Sequence, residues 1–216
     1  MLATIGACAL GVLFGLRHAL DPDHLAAVAT LVERGRGAIV GVLWGIGHAL
    51  ALLAVGIVLA AFQAEMPERL ADAFELAVAV MLILLGARAV YAGLARRELG
   101  HGHRHGEAVA AASWSLDWWF AVRPLVVGMV HGLAGSGALT ALVLAQLPTL
   151  SARIVYTGLF GLGTIAGMTV FTTAAGAVFR WRRSAPLRGG LAIATGSLSA
   201  VLGVIWGWPL AIKLMA

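Results

Sequence analysis

The sequence predicts an all-α polytopic membrane protein. It reads as six transmembrane helices arranged as two inverted three-helix repeats, with the first span broken at Asp21-Pro22. Three observations lead there. Six apolar stretches, near residues 2–32, 38–62, 71–95, 121–147, 151–179 and 189–214, each supply the ~20 residues that a bilayer crossing needs. Of the 216 residues, 61% are hydrophobic and 12% are charged, about half the charged fraction of a soluble domain. The two halves of the chain also share one pattern. The organisation expected is a single transmembrane domain: a first repeat over 1–95, a His-containing loop and interfacial helix over 96–120, and a second repeat over 121–216.

The first span is too long for one straight crossing. Residues 2–32 as continuous helix would run ~46 Å, against a hydrocarbon core of ~30 Å. Pro22 offers the break, because it has no N–H for the carbonyl of His18 and its ring clashes with that carbonyl. It also biases Asp21 away from helical angles, which suits Asp21 as an N-cap with Pro22 at the first helical position. Around the break, Arg17-His18-Ala19-Leu20-Asp21-Pro22-Asp23-His24 gathers two imidazoles, two carboxylates and a guanidinium between apolar runs. Ionisable groups inside a membrane segment are costly and point to function, and irregular backbone at depth is tolerated only where it is buried in protein or lines a cavity. On an unbroken helix His18 and His24 would stand ~240° apart; the break lets His18, Asp23 and His24 face one cavity. Histidine with aspartate suits a borderline divalent metal. The plainer alternative, an Arg17–Asp ion pair that fixes a kink, leaves two histidines and a second carboxylate unexplained.

In the second span, His48 lies in Gly45-Ile46-Gly47-His48-Ala49. The glycines allow close helix approach and bring this imidazole within reach of the first span; alone, a buried histidine more often bonds a backbone carbonyl. The third connection carries His101, His103 and His105, which suit either transient metal capture or a plain solvated loop. Glu107 to Phe120, with Trp114, Trp118 and Trp119, reads as a short helix lying in the interface. The fourth span places His131 near mid-membrane and has a weak point at Gly132-Leu133-Ala134-Gly135-Ser136-Gly137. Trp181, Trp206 and Trp208 are further candidates for an aromatic belt. A lone Cys8 allows neither an internal disulfide nor a thiolate cage and is expected to pack.

The repeat rests on three matches. Phe14-Gly15-Leu16-Arg17-His18-Ala19-Leu20 aligns with Val127-Gly128-Met129-Val130-His131-Gly132-Leu133, Trp44-Gly45-Ile46-Gly47-His48 with Phe160-Gly161-Leu162-Gly163-Thr164, and Leu84-Leu85-Gly86 with Val201-Leu202-Gly203, at offsets of 113, 116 and 117 residues. A three-span unit repeated in tandem has opposite orientations in its two copies, as in many secondary transporters. Ala134, Ser136 and Gly137 stand where the first half has Asp21, Asp23 and His24. The second copy is therefore expected to complete the first site rather than build its own. Chance similarity among Gly- and Leu-rich helices is the alternative.

Orientation follows from the loops. Nine arginines (Arg34, Arg36, Arg96, Arg97, Arg104, Arg180, Arg182, Arg183 and Arg188) lie on one side, against Arg69, Arg153 and Lys213 on the other. Positive charge gathers on the cytoplasmic side, so both termini are expected outside a plasma (bacterial inner) membrane. The same placement explains the net charge of +5 without nucleic acid. No cleavable signal is expected, since no basic stretch precedes the first apolar run.

His18-x4-Asp23-His24 within Arg17–His24, with Gly47-His48 and His131-Gly132-Leu133-Ala134-Gly135-Ser136, resembles the nickel/cobalt transporter family, in particular its short six-span, urease-accessory-type nickel permeases. Longer members have eight spans and further acidic motifs that this chain lacks. The resemblance implies that His18, Asp23 and His24 are required for transport. It also implies import toward cytoplasmic nickel or cobalt enzymes, while a related branch exports the same ions. The expected function is secondary transport of Ni²⁺ or Co²⁺, with candidate metal-contacting residues His18, Asp21, Asp23, His24, His48 and His131. The ion is cargo in the lipid bilayer, and no cofactor is expected. Cytoplasmic metallochaperones or metalloenzyme maturation proteins are the expected partners. Nitrogen and oxygen donors without thiolates argue against Cu(I) and suit Ni²⁺, leaving Zn²⁺ open. Affinity should fall in acid, where the ligating rings protonate. No G-x-x-x-x-G-K-[ST] motif supplies ATP. Three other functions compete: efflux served by the His loop, a metal sensor without flux, and an intramembrane serine protease at Ser136. The last is disfavoured because position 134 is alanine and the sixth span has no histidine to act as base.

Overall fold

The computed structural model describes residues 2–31, 37–62, 66–99, 113–134, 149–181 and 185–216. Among them the chain is all helical: α1 (Leu2–His18), α2 (Pro22–Leu31), α3 (Gly37–Phe62), α4 (Glu68–Leu99), α5 (Ser113–Ala134), α6 (Leu150–Trp181) and α7 (Ala185–Met215). Four stretches are long and apolar enough to cross a membrane, namely Gly37–Leu59, Glu68–Ala95, Ser151–Val178 and Leu187–Met215; Val122–Ala134 is a shorter apolar stretch. With 17 and 10 residues, neither α1 nor α2 alone reaches the ~20 that a crossing needs.

Some boundaries differ from expectation. The helix α4 runs on to Leu99, and α5 already begins at Ser113. Ser113–Phe120 is therefore continuous with the helix that follows, and residues 107–112, the rest of the expected interfacial helix, lie outside the described residues. Pro124 lies inside α5 without ending it, which membrane helices tolerate where neighbouring groups satisfy the freed carbonyl. The His101–His105 loop and the Gly135–Gly137 weak point lie outside the described residues.

The pattern of burial is that of a protein surrounded by lipid. The most completely buried side chains include His24, His48, His131, Thr30, Thr164, Thr172 and Ser199, whereas Leu13, Leu84, Val170 and Trp208 are 59–69% exposed. The buried hydroxyls are satisfied within the bundle. Thr164 donates to the Gly161 carbonyl at 2.8 Å, Thr172 to that of Met168 at 2.7 Å, and Ser199 crosses from α7 to the Leu82 carbonyl of α4 at 3.0 Å. In a medium without water, such partners are obligatory.

Glycine sets the helix contacts, as expected where small residues let backbones approach. A Cβ on Gly15 of α1 would collide with the Phe160 carbonyl of α6, and one on Gly128 of α5 with the Trp44 carbonyl of α3. Along both pairs the contacts advance together (Gly11 with Tyr156 and Gly15 with Phe160; Gly128 with Trp44 and Gly132 with His48), so α1 runs parallel to α6 and α5 to α3. Between α3 and α6 they run oppositely, from Gly37 with Thr172 to Gly45 with Ile165. The same holds for α4 and α7, from Gly86 with Gly196 to Gly93 with Gly189. Both of these pairs are antiparallel.

Candidate metal site

The chain turns sharply between α1 and α2. The amides of Leu20 and Asp21 reach back three residues to the carbonyls of Arg17 and His18 at 2.9 and 3.0 Å, so the His18 carbonyl that Pro22 cannot serve takes the Asp21 N–H instead. The Asp21 carbonyl accepts the Leu25 N–H at 3.0 Å, which opens α2 as an N-cap does. Its side chain does not cap, however. Asp21 Oδ2 accepts from His18 Nδ1 at 2.7 Å.

The turn folds His18 and His24 onto each other, with ring centroids 4.6 Å apart. His48 from α3 closes the group at 5.1 Å from His18 and 5.3 Å from His24, and His131 from α5 lies 4.3 Å from His24. His24, His48 and His131 are wholly buried, and His18 nearly so. One donor atom from each of His18, His24 and His48 falls within 4.8 Å of the others, and the same is true of Asp23, His24 and His131.

Carboxylates hold three of the four rings. Asp23 Oδ1 accepts from His24 Nδ1 at 3.1 Å, and Asp23 Oδ2 from His131 Nε2 at 2.8 Å. An ionised carboxylate only accepts, so the bonded nitrogens carry the protons and the other nitrogens present lone pairs. Those others are His18 Nε2, His24 Nε2 and His131 Nδ1; with both nitrogens of His48 they are buried and unpartnered. Carboxylate-oriented imidazoles of this kind are the usual outer support of a metal site. Arg17 is exposed, while both oxygens of Asp23 and one oxygen of Asp21 are engaged by histidines, and no Arg17–Asp ion pair forms among the described residues. The structure thus brings His18, Asp21, Asp23, His24, His48 and His131 to one place, His131 reaching the first-half motif through Asp23.

Three contributors carry weaker sequence signals. Trp44 is wholly buried and stacks on His24 with centroids 5.5 Å apart. Phe160 lies 5.5 Å from the His18 ring. The two align in the sequence match between the two halves of the chain, which is the signal that marks them. Beside the cluster a cavity of about 480 Å³ is lined by His18, Asp21, Asp23 and Ala134 and, across it, by Glu75 of α4 and Trp206 and Pro209 of α7. The signal for Glu75 is only the general one of an ionisable residue inside a span, and it stands apart from the motif in sequence.

Residues 4–180 match the model of the NicO family, described as high-affinity nickel-transport proteins. The chain belongs to the NicO family. It is therefore related to nickel transporters rather than to enzymes, and with its long apolar helices it is a multi-pass membrane protein. It is 30% identical over 202 residues to the "Urease accessory protein UreH" of Bacillus sp. (strain TB-90), covering 90% of this chain and 87% of that protein. It is also 34% identical over 93 residues to the "High-affinity nickel transport protein" of Cupriavidus necator, covering 41% of this chain and 26% of that protein. No solved structure matches this NicO chain. The NicO match spans α1 to the end of α6, so it includes all four histidines of the cluster.

Proposed function

We propose that the protein is a secondary transporter that takes up Ni²⁺, or Co²⁺, across the plasma membrane. The ion is cargo, held by His18, His24 and His48 with Asp21, Asp23 and His131 around them. One observation carries this reading: buried, unpartnered ring nitrogens converge on the α1–α2 break. Unpaired polar groups in a low-dielectric interior are costly, and a dication that accepts their lone pairs offsets that cost. Nitrogen and oxygen donors suit Ni²⁺ and Co²⁺ better than Cu(I).

In this reading α1 and α2 form one interrupted span, and six spans make two inverted repeats: α1–α2, α3 and α4, then the span begun by α5, α6 and α7. Supporting it, the equivalent helices α3 and α6 pack antiparallel, as do α4 and α7, and the contacts exchange under the repeat. Gly15 meets Phe160 as Gly128 meets Trp44, and Gly86 meets Gly196 as Gly203 meets Ala79. The site sits where the halves meet, and rocking one half against the other gives alternating access. The excess of arginine in the opposite loops supports an orientation with both termini outside. The cavity lies between the early turns of α4 and the late turns of α7, near the end of the bundle that this orientation puts outside, which supports uptake. A relative named as a urease accessory protein suggests delivery to metallochaperones or maturation proteins of a nickel enzyme such as urease.

The test is metal uptake into proteoliposomes across Ni²⁺, Co²⁺, Zn²⁺ and Mn²⁺. Uptake of nickel or cobalt that is abolished by His18→Ala and by Asp23→Asn supports the reading. Binding without flux would make the protein a sensor. Cells that gain nickel resistance and lose nickel content on expressing it would reverse the direction to efflux.

A further inference from the structure

We propose that Glu75 and Asp21 form an outer station that holds a hydrated divalent cation before it passes to the imidazoles. The inference rests on the transport reading above and adds a second binding position to it. Glu75 is the eighth residue of α4 (Glu68–Leu99), ~10 Å along the helix from its start. A carboxylate at that depth is costly unless it faces water or a counter-ion, and Glu75 lines the cavity that holds His18, Asp21 and Asp23. The nearby ammonium acts on it only through space and not as a direct partner. Lys213 of α7 bonds Asp72 at 2.7 Å, one turn further out, and Glu75 makes no ion pair among the described residues. Asp21 is 48% exposed while it holds His18, so it presents charge to the same cavity. At the inner end stands His18, 9% exposed, with Nε2 unpartnered. No Lys or Arg lines the cavity among the described residues, so its charged side chains are acids leading to a buried imidazole. Such a cleft concentrates cations. Carboxylates and water suit an ion that still keeps its hydration shell, and the rings suit one that has shed it.

The experiment compares unaltered protein, Glu75→Gln and Glu75→Asp in nickel-uptake proteoliposomes at several nickel concentrations and ionic strengths. Glu75→Gln is expected to raise KM for Ni²⁺ about five-fold, as removal of one charge acting on a dication ~8 Å away implies. The maximal rate should change less, and the rise of KM with added salt should be blunted. Glu75→Asp should restore most of the affinity. An unchanged KM in a Glu75→Gln protein that transports overturns the station and leaves the transport reading standing. A lowered maximal rate at constant KM, not recovered by Glu75→Asp, overturns it too, because Glu75 then serves the fold or the conformational change. Failure of the unaltered protein to take up nickel overturns the transport reading and the station with it.

Discussion

Asp23 and His131 lie 108 positions apart and meet at 2.8 Å, Oδ2 to Nε2. One carboxylate of the first half thereby fixes a ring supplied by the second, while its other oxygen fixes His24 at 3.1 Å. Asp21 holds one ring only and is 48% exposed. In Asp23→Asn, an amide N–H replaces one acceptor, so the ring facing it must turn its lone pair outward and place its proton on the nitrogen meant for the ion. Loss of such a supporting carboxylate typically costs about 10–100-fold in metal affinity. Asp23→Asn is expected to fall in that range and Asp21→Asn below it. Calorimetric titration of the detergent-purified protein with nickel checks the order, and an Asp21→Asn loss as large as that of Asp23→Asn contradicts it.

The glycine contacts give a prediction about the repeat. A methyl group on Gly15 would meet the Phe160 carbonyl, and on Gly128 the Trp44 carbonyl, whereas Gly56 and Gly158 have open space around them. Overpacking typically costs about 1–3 kcal/mol, against a gain of up to about 1 kcal/mol from exchanging glycine for alanine in a helix. Gly15→Ala and Gly128→Ala should therefore each destabilise, by about 1–2 kcal/mol and by similar amounts. Gly56→Ala and Gly158→Ala should be neutral or stabilising. Thermal unfolding in one detergent compares the four. Unequal losses at Gly15 and Gly128 would show that the two contacts are not equivalent.

Much of the site was legible because the membrane makes its signals sharp. His18, Asp23 and His24 stand out since each is costly in lipid, and Pro22 marked where the helix had to stop. The pairing within the cluster was not legible. That Asp21 would bond His18 rather than cap α2, and that Asp23 would bridge to His131, depends on where α5 lies against α3. That placement is set by Gly47, Gly128 and Gly132, and glycine spacing shows that helices approach without showing which ones. The continuity of Ser113–Phe120 with the rest of α5 was not legible, because Trp114, Trp118 and Trp119 suggest an interface. Tryptophan at the end of a crossing helix gives the same pattern. Glu75 escaped because its partners in the cavity belong to helices far away in sequence.

His48 separates binding from stability. Both of its ring nitrogens are buried without partners, so its presence costs the fold rather than supporting it. His48→Leu keeps similar volume and removes two unsatisfied polar atoms, a change that is typically near neutral or stabilising. The melting temperature should hold or rise, while nickel affinity falls at least tenfold, or ~1.4 kcal/mol. A stable variant with unaltered nickel affinity would remove His48 from the ligand set. A variant that loses both would show that the ring packs rather than binds.

The side of the membrane on which the termini lie decides which side the cavity serves. The start of α4 and the end of α7 lie together, because those helices pack antiparallel and Lys213 bonds Asp72 across them. Whichever side holds the C-terminus therefore also holds the Glu75 side of the cavity. Cys8 is the single native cysteine, so Cys8→Ser gives a clean background for labelling. In that background, Ala216→Cys should react with a membrane-impermeant maleimide in intact cells. Gly106→Cys, between α4 and α5, should react only after the membrane is opened. Nine arginines against three basic residues set that expectation through the positive-inside rule. The opposite labelling would turn the acidic cavity toward the cytosol. Uptake from outside would then lose its structural support, and a cation collected at Glu75 would be one on its way out of the cell.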